Sequence, residues 1–214
     1  MEDIRVYQPW SAPLLHFNLS ENQIEDLLKI TDLILSDKNK KSYNDKLAGE
    51  IESEWEIEDH ETLSDILCVS ELSDEYFEVF HTQYNFDVDS GEIDQPLAIF
   101  AMNLQKSVLV SAWFNDQRDN EYNPSHNHTG VLSGVLYLKI PEYLPSRKTK
   151  DTDGAISFMG NESKTDGTMT NSTLTISPKK GDLFLFSSSL KHQVYPFRTA
   201  DGNGIRRSMS FNTK

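Results

Sequence analysis

Between Ser20 and Leu35 the apolar residues recur at helical spacing: Ile24, Leu27, Leu28, Ile34 and Leu35, with Thr31 on the same stripe. Ser20 followed three residues later by Gln23 is a capping box, so the pattern predicts an amphipathic helix of about four turns. The polar stretch SDKNKKSYNDKLAGEIESEWEIEDHE follows. The period then returns at Leu63, Ile66 and Leu67, and again at Leu72, Tyr76, Val79, Phe80 and Gln83, which predicts one or two further helices. Cys68 lies among them and reads as core filler. From residue 97 helical spacing gives way to short runs rich in Val, Ile, Phe and Tyr, divided by Gly, Pro, Asn and Asp. Strands are predicted near LAIFAMNL, SVLVSAWFN, NPSHNH, VLSGVLYLKI, AISFMG, TLTISP, DLFLFSS, KHQVYPF and RRSMSFN.

Short strands in series, after helices able to brace one sheet, predict a mainly β fold: a double-sheet, cupin-like jelly roll. The 214 residues suit one domain, with 1–96 as the helical portion bracing the sheet and 97–214 as the β core. SRKTKDTDG and NESKTDGTMTNS read as surface loops. In VLSGVLYLKI, Leu132, Gly134, Leu136, Leu138 and Ile140 share one face, and Val131, Ser133, Val135 and Tyr137 the other. In RRSMSFN, Met209 and Phe211 oppose Arg206, Ser208, Ser210 and Asn212. Such a polar face either turns to water or lines a polar pocket inside the roll.

The formal net charge of -14 argues against nucleic acid as a partner, because phosphate binding rests on clustered Lys and Arg. The charge is uneven: residues 1–100 carry -18 and residues 101–214 carry +4. The acidic half reads as a solvated face, and the basic remainder suits a small anionic ligand. One cysteine, a first segment without the basic-then-apolar order of a signal peptide, and no membrane-length apolar run predict a cytoplasmic protein.

His126 and His128 are one residue apart on an extended segment, so they point the same way and can offer two imidazoles to one ion. His192, after the apolar run DLFLFSS, is a candidate third ligand. Two close ligands and a distant one form the arrangement of a facial triad with open positions on iron. On the last predicted strand Arg206 and Ser208 share a face and can grip a carboxylate. A register slip of one residue would bring Arg207 inward instead. Trp113 and Asn115 share a strand face and either reach the site or pack in the core. His16, His60 and His81 fall in the helical half and receive no role.

The segments SAWFN, NPSHNHTGVLSGVLYL, PKKGDLFLFSSSLKHQV and RRSMSFN resemble, in order and spacing, the Fe(II)- and 2-oxoglutarate-dependent oxygenases, in particular a subgroup from phages and bacteria with an H-x-H…H motif. The resemblance covers most of residues 97–214. It implies a double-stranded β-helix, Fe(II), 2-oxoglutarate and O2 as cosubstrates, and release of succinate and CO2. Carried over by position, it makes His126 and His192 iron ligands, with His128 where most of the superfamily has Asp or Glu. It assigns Arg206 and Ser208 to the distal carboxylate of 2-oxoglutarate, with Tyr137 donating to the same group. The activity implied is that of a hydroxylase; related enzymes act on prolyl residues, other protein side chains, small metabolites and nucleobases, and low basicity, which disfavours nucleic acid, leaves a protein or peptide as the expected substrate. The alternative is a catalytically silent jelly roll used as a binding or phage-associated interaction module. A cupin would carry a glycine and a glutamate where Asn120 and Leu132 or Ser133 stand, and a zinc hydrolase an acid or base beside its metal water.

Overall fold

The computed structural model describes residues 5–7, 13–84, 107–145, 152–160 and 173–214, the first three and 81–84 by their backbone. The strand expected at LAIFAMNL, the loop NESKTDGTMTNS and most of SRKTKDTDG lie outside these residues. The element order is β1 (Arg5–Tyr7), β2 (Leu14–Asn18), α1 (Glu21–Ser36), β3 (Glu54–Glu56), α2 (His60–Leu67), α3 (Val69–Tyr84), β4 (Leu109–Gln117), β5 (Asn123–His126), β6 (Leu132–Lys139), β7 (Ile156–Met159), β8 (Thr173–Ile176), β9 (Asp182–Ser187), β10 (Lys191–Val194) and β11 (Arg206–Thr213).

Ser20 caps α1 as its sequence implies. Its side chain accepts from the Gln23 N–H at 3.3 Å, and Gln23 Oε1 accepts from the Ser20 N–H at 3.0 Å. Gln23 Nε2 also donates to the Ile66 carbonyl at 2.8 Å, which ties α1 to α2. Cys68 is not core filler. It ends α2 as a half-buried cap in the left-handed region, at φ 54° and ψ 53°.

The strands form two antiparallel sheets, a major one ordered β1-β2-β9-β6-β11-β4-β3 and a minor one ordered β5-β10-β7-β8. Each face of the major sheet is covered by something different. Leu136, Leu138, Leu183, Leu185, Met209 and Phe211 join Ile24, Leu27, Leu63 and Leu72 in a core beneath the helices. Leu14, Val135, Tyr137, Phe184 and Phe186 face Ile156 and Phe158 of the minor sheet in a second core. This is the double-stranded β-helix, with helices bracing one sheet. Strands β1, β2 and β3 come from the N-terminal part of the chain and extend the major sheet at both edges. β2 lacks alternation because Leu14 is buried between the sheets and Leu15 and Phe17 under the helices.

Gly134 faces Phe211 across the β6–β11 ladder, and a Cβ there would lie 2.2 Å from the buried ring. Gly134→Ala is therefore expected to lower stability by about 1–3 kcal/mol, the range for overpacking a filled core. Urea denaturation at constant m-value measures it, and an unchanged midpoint would contradict this packing.

Candidate metal and cosubstrate site

The minor sheet brings two of the three histidines side by side, since His126 on β5 and His192 on β10 are directly paired residues. β5 ends at His126, two residues short of the predicted segment, and the His128 N–H bonds the Ser188 carbonyl at 2.9 Å instead of extending the ladder. The three rings converge nonetheless. Their centroids lie 4.3 Å (His126–His192), 4.9 Å (His126–His128) and 5.1 Å (His128–His192) apart, and one nitrogen from each falls within a 4.8 Å set. It is the cluster of metal-ligating side chains found among the described residues. Metal–nitrogen bonds of about 2.1 Å would draw the three nitrogens closer.

Two of the rings are oriented by the backbone. His126 Nδ1 lies 2.7 Å from the Pro124 carbonyl and His192 Nδ1 3.0 Å from the Leu190 carbonyl. A carbonyl can only accept, so both Nδ1 atoms carry the proton and both Nε2 lone pairs are free. Burial lowers the pKa of all three rings, with the neighbouring imidazoles adding to the effect at His128 and His192. His128 falls to about 4 and His192 to about 3. The site therefore presents neutral imidazoles, the form a metal requires.

The opposite wall is built by register. Ser208 on β11 faces Asn115 on β4 and Tyr137 on β6, and Arg206 faces Gln117. Arg206 is 0% exposed and lines the same cavity as the three histidines. Its Nη1 donates to the Gly154 carbonyl and its Nη2 to Gln117 Oε1, while its guanidinium lies over the Tyr137 and Phe197 rings at 5.7 and 5.5 Å. Arg207 takes the other face. Its Nε and Nη2 donate to the two Asp116 oxygens at 2.6 Å each, and its Nη1 to Asp32 and Thr31, which pins α1 to the sheet. The polar face of β11 thus lines an internal pocket.

Two polar atoms on this wall, Tyr137 Oη and Arg206 Nε, are buried without a partner. Ser208 Oγ donates to Asn115 Oδ1 at 2.8 Å. Burial, the main cause, pushes the Tyr137 hydroxyl far above its ordinary value, so it stays a donor at neutral pH. Unpaired buried donors at the Arg206–Tyr137 end are what an entering carboxylate would satisfy. The enclosed volume is about 30 Å³, close to one water, so a larger ligand enters by displacing side chains. Trp113 stands 5.5 Å from the His128 ring and stacks on Tyr43 at 5.2 Å. His16, left without a role above, sits 2.9 Å from Asp182, outside this cavity. Sequence reasoning passed over Gln117, although it shares the strand face of Trp113 and Asn115 and so faces the same cavity. It also passed over Asn123, whose buried Oδ1 at the cavity is unpartnered.

Fold and site together define a double-stranded β-helix in which three neutral histidines face a wall of buried donors. Residues 111–212 match the model of the family described as "Putative 2OG-Fe(II) oxygenase". The β core from β4 to β11 matches this family's pattern, and the protein is an oxygenase whose cofactors are Fe(II) and 2-oxoglutarate. AviO1 from Streptomyces viridochromogenes shares the fold at 10% identity over 94% of this chain and 88% of that one, with a TM-score of 0.52. A Pseudomonas putida prolyl-4-hydroxylase is similar at 15% identity, 92% and 90% coverage and a TM-score of 0.49. The viral collagen prolyl hydroxylase of Paramecium Bursaria Chlorella virus-1 is similar at 14% identity, 94% coverage of both chains and 0.48. No curated protein matches the sequence. No helix among the described residues is long and apolar enough to cross a membrane.

Proposed function

We propose that the protein is a hydroxylase that couples conversion of 2-oxoglutarate to succinate and CO2 with oxidation of a substrate C–H bond. The observation that carries this reading is the convergence of His126, His128 and His192 on one cavity with Arg206, Ser208 and Tyr137. In it, the three histidines hold Fe(II), and the iron, when bound, supplies the oxidation of cosubstrate and substrate by O2.

The chain's own residues supply orientation. The Pro124 and Leu190 carbonyls fix the tautomers of His126 and His192, so each would offer Nε2 rather than Nδ1 to a metal. Arg206 Nε, Tyr137 Oη and the Ser208 hydroxyl take the distal carboxylate of 2-oxoglutarate. Gln117 and the Gly154 carbonyl already hold the guanidinium, which lowers the entropy lost on binding. Val135, Ile156 and Phe186 line the remaining cavity and exclude water from the reacting groups.

The test is succinate formation from 2-oxoglutarate with Fe(II) in air. Turnover is expected in the wild type and its loss in His126→Ala. Arg206→Ala should raise the KM for 2-oxoglutarate by about 10–100-fold, the equivalent of a charge-assisted hydrogen bond. A wild-type protein that neither binds metal nor turns over 2-oxoglutarate, and whose melting temperature neither ligand raises, would leave the silent jelly-roll module as the better account.

A further inference from the structure

Glu54 is the exception among the buried acids of the described residues. Asp116 is paired with Arg207, and Asp182 lies 2.9 Å from His16 and accepts from the Lys179 N–H. Glu54 is 1% exposed, and neither of its carboxylate oxygens has a partner. Buried carboxyls without partners are costly, and one on a ligand-facing surface calls for a ligand that completes it.

Its position supplies the direction. On edge strand β3, Glu54 pairs with Asn115, and the row continues through Ser208 to Tyr137. The four side chains leave the cavity face of the sheet, while Trp55 packs on the helix side. At about 4.8 Å per strand, Glu54 lies roughly 14 Å from Tyr137, at the opposite end of the row from the carboxylate anchor. Gly49 closes over it, for a Cβ there would come within 3.3 Å of Glu54 Oε1, and nearby Ile51 lines the cavity. The charge that faces Glu54 is Glu121, itself held by the N–H groups of Glu52 and Arg118. Burial first, and Glu121 second, push the Glu54 carboxyl up to about 8. The metal-ligating cluster among the described residues is the histidine triad, so Glu54 is not part of a second metal site.

We propose that Glu54 determines substrate specificity by pairing with an organic cation, a primary amine or guanidinium such as a basic peptide side chain, that enters beside Asn115. An anion would be repelled by Glu121 and, once ionised, by Glu54 as well, and a neutral group would leave the ionised acid pair uncompensated. That the cation belongs to the substrate rests on the oxygenase reading; the cation site itself does not. A cation beside Glu54 favours its ionised form, so binding near neutral pH expels a proton.

The probe is Nα-acetyl-lysine methylamide, compared with its neutral norleucine counterpart by calorimetry in buffers of different ionisation enthalpy. The lysine compound should bind at least tenfold tighter and release about 0.9 proton at pH 7. Its affinity should rise about tenfold from pH 7 to pH 9, a window in which the three histidines stay neutral. Glu54→Gln should abolish the preference and the proton release. Equal binding of the two compounds, absence of binding, or a preference untouched by Glu54→Gln would overturn the proposal. The wild-type pH series decides the matter if the variant does not fold. Melting shifts with Ni(II) plus 2-oxoglutarate on the same samples keep the two readings apart. Shifts without cation binding overturn only the Glu54 proposal, whereas cation binding without shifts removes the oxygenase reading and leaves the cation site standing.

Discussion

Asp116→Ala is expected to destabilise the protein by about 3–5 kcal/mol, the cost of leaving a buried charge without its partner. Arg207 is 3% exposed, and its guanidinium donates two hydrogen bonds of 2.6 Å to the Asp116 carboxylate. Without Asp116 the cation keeps Thr31 and the largely exposed Asp32, whose screening makes it a weak substitute. A domain of ordinary stability, about 5–15 kcal/mol, would lose a large share of it. Asp32→Ala should cost under about 1 kcal/mol, because the bidentate pair survives. The double variant Asp116→Leu with Arg207→Met should recover most of the loss, since an apolar pair of similar volume needs no solvation. Urea midpoints for the four proteins give the comparison. An Asp116→Ala midpoint equal to that of Asp32→Ala would show that Asp116 is not the partner that compensates the buried Arg207 charge.

That ion pair also explains why the sequence leaves two arginines open. Adjacent residues on a strand leave opposite faces, and Arg206 and Arg207 look alike until the register is known. Met209 and Phe211 mark the core side, and the structure adds Asp116 and Thr31 there as the partners of Arg207. The histidines are legible for the opposite reason, since an H-x-H on extended chain has one geometry and a third His after an apolar strand needs only antiparallel pairing. β2 is hidden because both its faces are buried, which erases the alternation that marks a strand. Glu54 is hidden because an acid in a Glu-rich stretch reads as solvent-facing. Its burial follows from β3 pairing with β4, a contact between residues some sixty positions apart.

The cavity lining itself contains Arg206 and no acid, and the three imidazoles are neutral. On the proposed reading, a divalent metal held here would keep its full charge, so the anions that balance it would come from the cosubstrate. The dianion of 2-oxoglutarate would then meet a positive centre at each end of its path, the metal held by the neutral histidines and the Arg206 guanidinium. Glu54, near the far edge of the same sheet face, gives the row opposite character at its two ends and separates anion from cation by about three strands.

His192→Ala should lower metal affinity by more than about 100-fold and abolish 2-oxoglutarate turnover. Removing a partner one shell out from a metal typically costs about 10–100-fold, and His192 would itself be a ligand. It is also the most enclosed of the three, 4% exposed, with its ring against Phe158 and Phe186 at 6.1 and 4.9 Å. No water can readily replace it among such neighbours. His128→Asp is the informative companion. It keeps a donor at the position and adds the negative charge that the cavity lacks, so metal affinity should hold or rise while His192→Ala loses it. Titration with Ni(II) under 2-oxoglutarate, read by melting temperature and by calorimetry, separates the two. If His192→Ala binds metal as the wild type does, the convergence of the three rings is a packing arrangement, and the iron site lies elsewhere.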